Sequence, residues 1–218
     1  MADHPPHSAG TTNAPANLPN KVATEAAIGA TAFGDLLSAI ARKSPAPGGG
    51  AVASAAGALA AALGGMVLSY STGKKDLAQH AQAHEQLAAT CSQASCKLLE
   101  LADADAVAYA ELNALQRLPE DDDRRKVALP EAAQRCVDVP LEVQRVCLGL
   151  LGAFEELAPI ANRWLLSDLK IAAILAEATV RSSDCNVEVN APTLGEAVSR
   201  DAERETQSQS LRACERAA

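Results

Sequence analysis

Residues 48–70 read GGGAVASAAGALAAALGGMVLSY. Between Ala51 and Leu68 the only polar side chain is Ser54. Alanine and leucine at this density form helix, and glycines between them let neighbouring helices approach closely. Ser54 and the glycines interrupt the hydropathy, so the run reads as a helix buried in protein rather than a span of lipid. The rest of the chain must supply the helices that bury it.

Composition agrees. Hydrophobic residues make up 48% of the 218, yet the aromatic set is only Phe33, Tyr70, Tyr109, Phe154 and Trp164. A core so poor in rings and β-branched runs predicts an all-α fold, here one helical bundle of five to six helices spanning residues 21–218. Residues 1–20, rich in Pro, Asn, Thr and His without periodicity, are expected to be disordered and to carry no secretory signal.

Working outward from the quoted stretch, Phe33, Leu36, Leu37 and Ile40 set a helical spacing that rises from Lys21 and stops at Ser44-Pro45-Ala46-Pro47. After Gly73, a long helix is predicted from about Asp76 to Gln116. Asp121-Asp122-Asp123 open the next, which Pro130 and Pro140 should kink or divide into two. A fifth helix should run from Leu166 to Ser182. Asn186–Asn190 should be extended, and Thr193 to Glu196 has capping-box spacing for a terminal helix.

The net charge, 19 minus 27, is -8, which argues against nucleic acid or an anionic membrane surface as partner. Six cysteines without a CxxC pair suit free thiols in a reducing cytosol. Asp76, His80 and His84 fall four apart, but no further ligands join them, so no metal is expected. Cys136 and Cys147 share a face without a histidine base and read as buried thiols.

The informative acid is Asp105. Leu98, Ala102, Asp105, Tyr109 and Leu112 share one helical stripe, so a carboxylate interrupts an apolar face. Asp103 points about 200 degrees round the helix. Two readings of Asp105 stand: a pairing with a neighbouring cation, or a carboxylate kept partly dry for chemistry. Asp168 stands on a similar face, and Ser167-Asp168 resembles a helix cap. With Asn162 and Arg163 they bring four polar residues to one helix entrance. Gly48-Gly49-Gly50 before a helix serves either ligand approach or close packing, and Lys74-Lys75 either a solvated cap or a contact with an anion.

Taken in order, Ser44 to Gly50 before an Ala-rich helix, Met66-Val67, Gly73-Lys74-Lys75, Asp103-Ala104-Asp105-Ala106, Asp123-Arg124-Arg125 through Val139-Pro140-Leu141, Asn162 to Ser167-Asp168, and Asn186 to Asn190 resemble the cyclodeaminase/cyclohydrolase family of folate enzymes across about residues 32 to 200. The resemblance implies an all-α homodimer acting on a tetrahydrofolate derivative, with or without a polyglutamate tail, and no cofactor beyond that substrate. It implies either closure of formiminotetrahydrofolate to the methenyl form with loss of ammonia, or hydrolysis of the methenyl bridge. A scaffold that keeps folate binding without turnover is the non-enzymatic alternative. By the resemblance, Asp105 is the catalytic acid/base, Gly48, Gly49 and Gly50 admit the folate, and Lys74 and Lys75 meet glutamate carboxylates. Asn162, Ser167 and Asp168 orient the pterin or the one-carbon unit. The chain departs from the pattern at Asp76-Leu77, where an aromatic commonly stands, and at Pro130.

Overall fold

The computed structural model describes residues 27–217, and the predicted tail and the first turns after Lys21 lie outside them. Among the described residues there is no strand. The helices are α1 (Phe33–Ile40), α2 (Gly49–Ser69), α3 (Ala81–Gln116), α4 (Asp123–Leu157), α5 (Leu166–Asn190) and α6 (Glu196–Ala217). Helices α2 to α5 close a ring in which each packs on its chain neighbour and α2 meets α5, while α6 lies across α4 and α5. The quoted stretch is α2. By length and a mean hydropathy of 1.9 it could cross a bilayer, but 56% of that window is buried inside the bundle.

A ladder of glycines sets the α2–α3 spacing. Gly50, Gly57 and Gly64 stand seven apart on one face of α2 and meet Asp105, Leu98 and Cys91, themselves seven apart on α3 running the other way. A methyl on Gly57 would lie 3.0 Å from Cys147 Sγ and 3.1 Å from Leu98 and Thr179. One on Gly64 would overlap the Phe154 ring. Around these rungs Val67, Leu68, Leu98, Cys147, Leu150, Leu151 and Leu157 are fully buried. Burying a leucine of this kind contributes about 1.5–3 kcal/mol.

Several expectations from sequence are corrected. Pro130 and Pro140 both lie inside one unbroken α4. Each proline forfeits one ladder bond; Pro130 is exposed, so water can take its orphaned carbonyl, while Pro140 is buried in the packing around it. Asn186–Asn190 is helical, not extended. Val187 is fully buried in a cluster with Val137, Leu141 and Ala191, and the Asn186 and Asn190 amides donate to the carbonyls of Ser182 and Asn186 one turn back. Tertiary burial there overrides β-propensity. Thr193 does not cap α6: its hydroxyl donates to the Asn190 carbonyl in the preceding 3-10 turn. Ser167-Asp168 does not cap α5 either, since the helix begins at Leu166 without a side-chain cap, and Asp168 lies in its first turn. The long third helix begins at Ala81 after a 3-10 turn over Lys75–His80. Helix α1 is present, but its stripe faces no core: Phe33 and Leu37 are exposed.

Candidate active site

The rungs at Leu98 and Cys91 are apolar and the rung at Asp105 is not. Asp105 occupies the register that Leu98 and Cys91 fill further along, and a methyl on Gly50 would overlap its carboxyl. The glycine triplet thus has unequal members. Gly48 and Gly49 have room for a methyl, with Pro45 O and Asn186 Oδ1 each 3.6 Å away, whereas Gly50 does not. What the third glycine makes possible is the seat of the carboxylate.

That seat is half-buried. Burial pushes the Asp105 carboxyl above its ordinary value of 3.8, and the Ala51 N–H, in the first turn of α2, pulls it the other way. Among the described residues no arginine or lysine pairs with it. The structural reading that required a cation partner is therefore not what the fold provides. Gly48, the residue before α2, caps it with no side chain, and the first intrahelical bond is Val52 N–H to Gly48 C=O. The amides of Gly49 and Gly50 are thus left as donors beside an acid that holds its proton more readily than an exposed one. Cys136 is the nearby thiol. Its burial, and next the Asp105 charge, push it up to about 11, so it remains protonated at neutral pH. Asp103 does another job: it accepts the Ile28 N–H at 2.8 Å and ties the segment before α1 to α3.

The remaining predicted residues gather at the other end of α2. Asn162 is buried. Its backbone N–H donates to Ser71 Oγ at 2.9 Å, its side-chain amide donates to the Tyr70 carbonyl at 3.3 Å, and its side-chain oxygen accepts the Trp164 N–H at 3.3 Å. His84 Nε2 donates to the Ile160 carbonyl at 2.9 Å, which leaves the buried Nδ1 without a protein partner. Lys74 and Lys75 follow Ser71 by three and four residues, and Ser167 and Asp168 open α5 just beyond the Asn162 turn. Within one chain, then, Asp105 joins Gly48–Gly50, and Lys74 and Lys75 join Asn162, Ser167 and Asp168. The two groups are separated by the 21-residue length of α2, roughly 30 Å at about 1.5 Å per residue. Sequence reasoning missed Tyr70, Ser71, Asn186 and Trp164 as neighbours of these groups. The seven-residue glycine spacing was the one signal in the sequence that could have paired α2 with α3.

A family model described as formiminotransferase-cyclodeaminase matches residues 32–209. The chain belongs to that family. A formimidoyltransferase-cyclodeaminase of Rattus norvegicus is 39% identical over 152 residues, covering 68% of this chain and 28% of the relative. The chain therefore spans little more than a quarter of that longer protein. A methenyltetrahydrofolate cyclohydrolase of Methylorubrum extorquens is 35% identical over 169 residues, 72% of this chain and 78% of the relative. The crystal structure of a formiminotetrahydrofolate cyclodeaminase from Thermotoga maritima superposes with a TM-score of 0.78 at 27% identity, covering 87% of this chain and 95% of that one. The match on this cyclodeaminase family spans both ends of α2, so the Asp105 group and the Lys74 group lie within the shared region.

Proposed function

We propose that the chain is a formiminotetrahydrofolate cyclodeaminase in which Asp105 moves the proton. The observation that carries this reading is the Asp105 rung: a half-buried carboxyl with a raised pKa, without a cation partner among the described residues, beside the open amides of α2. In the reaction N10 of the folate attacks the carbon of the protonated formimino group held on N5, giving a tetrahedral carbon bonded to N5, N10 and the amino group. Asp105 takes the proton from N10 and delivers it to the amino nitrogen. The bond to that nitrogen breaks, ammonia leaves, and its bonding electrons depart with it as the cationic methenyl bridge forms. A carboxyl raised above its usual range suits both halves of the transfer, and its anionic form stabilises the cationic carbon.

Hydrolysis of the methenyl bridge is the second reading, favoured by the cyclohydrolase relative, whose own length this chain nearly spans. There water attacks the bridge, Asp105 accepts one of its protons and passes it to the departing nitrogen, and the second proton is released to solvent as the formyl carbonyl forms. Purified protein given each substrate separates the two. Methenyl absorbance that rises from the formimino compound with stoichiometric ammonia supports the first, and its decay supports the second. Folate binding with neither change would leave a non-catalytic scaffold.

A homodimer completes the site in this proposal. The outward face of α2 is uncharged, with Val52 and Leu59 exposed along it and Tyr70 exposed just past its end. Two such faces crossing antiparallel about a two-fold axis bring the Asp105 end of one protomer to the Lys74 end of its partner. Co-expression of Asp105→Asn with a Lys74→Glu, Lys75→Glu chain tests it. Each inactive homodimer exchanges into a heterodimer with one intact site, and random pairing restores about a quarter of wild-type activity. A site built within one chain restores none.

A further inference from the structure

Trp164 is the only tryptophan of the chain, and it stands 73% exposed. An indole in water at the tip of a three-residue turn would ordinarily sit on a mobile loop. Here the turn, Arg163–Leu165, is fastened from beneath. Asn162 ties it to Ser71 and to the Tyr70 carbonyl, and His84 holds the Ile160 carbonyl just before it. Ser71 and His84 are fully buried. The Arg163 guanidinium lies over one face of the ring, 4.8 Å from its centre. At this end of α2 the Tyr70 ring is also exposed, and Lys74 and Lys75 follow the bonded Ser71 by three and four residues. A rigidly mounted aromatic surface next to cationic side chains fits a flat aromatic ring that carries carboxylates.

We propose that Trp164 is the stacking platform for the p-aminobenzoyl ring of a folate substrate, with the glutamate carboxylates of that ligand reaching Lys74 and Lys75. The proposal rests on the folate reading, and it assigns a binding role to a residue outside the acid–base machinery. Arg163 covers one face of the indole, and the opposite face of the ring receives the ligand. The tether through Asn162 and Ser71 makes the platform pre-ordered, so little conformational entropy is lost on binding.

Because the chain has a single tryptophan, its intrinsic fluorescence reports the platform directly. Titration of the full chain with p-aminobenzoylglutamate alone is expected to quench that emission saturably. Trp164→Phe is expected to bind substrate nearly as well as the wild type, while Trp164→Ala raises KM about tenfold with the loss falling on KM rather than kcat. Exposure of the side chain lets both variants fold. Saturable quenching without turnover of any folate substrate keeps the platform and removes the reaction assigned above. Turnover with no quenching, or an unchanged KM in Trp164→Ala, overturns the platform and leaves the reaction standing. Conversion of Trp164→Ala to a monomer with KM per active site unchanged also overturns it, marking the indole as a contact between subunits.

Discussion

Asp105 and Asp184 are both half-buried among packed helices, and they are treated in opposite ways. Asp184, on α5, sits where α4, α5 and α6 meet. It receives hydrogen bonds from Thr206, from Ser210 and, at 2.9 Å, from the buried Gln144 amide. Gln144 also donates to Thr206 Oγ1 at 2.7 Å and to the Val180 carbonyl at 3.2 Å, so three helices are knotted through one carboxylate. Asp105, on α3, takes a rung of the glycine ladder and has only the Ala51 N–H to offset its burial. A carboxylate supplied with donors holds structure together; one short of them holds its proton more readily and remains free to exchange it.

That contrast can be broken most forcefully at Gly50. Gly50→Ala places a methyl where the Asp105 carboxyl now lies, so the side chain must rotate out of its seat. Turnover is expected to fall at least a hundredfold, with helicity by circular dichroism unchanged. At the other aspartate the loss should appear in stability alone. Asp184→Ala removes the acceptor of the Thr206 and Ser210 hydroxyls and one of the acceptors of the Gln144 amide, and denaturant melts should show about 2–4 kcal/mol of destabilisation while turnover at low temperature persists. Gly64→Ala overlaps the Phe154 ring on an apolar rung, and about 1–3 kcal/mol should go with it, again without loss of the chemistry.

The smallest effect is the one that reports on the acid itself. The folded-state pKa of Asp105 is raised above its unfolded value of 3.8, so its contribution to stability is fully present below that value and is lost as pH rises through the raised one. The melting temperature of the wild type minus that of Asp105→Asn should therefore drop with rising pH across that window. A flat difference, or one of opposite slope, means that the carboxyl is not penalised by burial.

Much of this was legible before any coordinates. The Ala-rich α2 and the apolar stripe around Asp105 follow from local rules of propensity and period, while α2 ends at Ser69, before Gly73, whose φ of +79 belongs to the turn beyond it. The stripe is only partly interior: Leu98, Ala102 and Leu112 are buried, but Tyr109 is exposed. The failures share a cause. Asn186–Asn190 looked extended because valines alternate there, yet Val187 is drawn into a cluster formed with α4, and no local signal carries that. Pro130 and Pro140 looked like breaks because local rules cannot see neighbours that support a long helix. The site was legible as residue types but not as a place. Spacing found Asp105, the triplet, the lysines and Asn162, while their separation to opposite ends of α2 depends on helix length and on which faces α3 and α5 cover.

The central claim is that the Asp105 carboxyl transfers the proton, and Asp105→Asn tests it most directly. Asparagine keeps the shape and an oxygen able to accept the Ala51 N–H, so the variant should fold and melt at or above the wild-type temperature at neutral pH. With formiminotetrahydrofolate, its rate of methenyl formation should fall by a factor of about 10² to 10⁴, with substrate binding retained. Turnover within a few-fold of the wild type, in a variant of intact fold, would contradict the account.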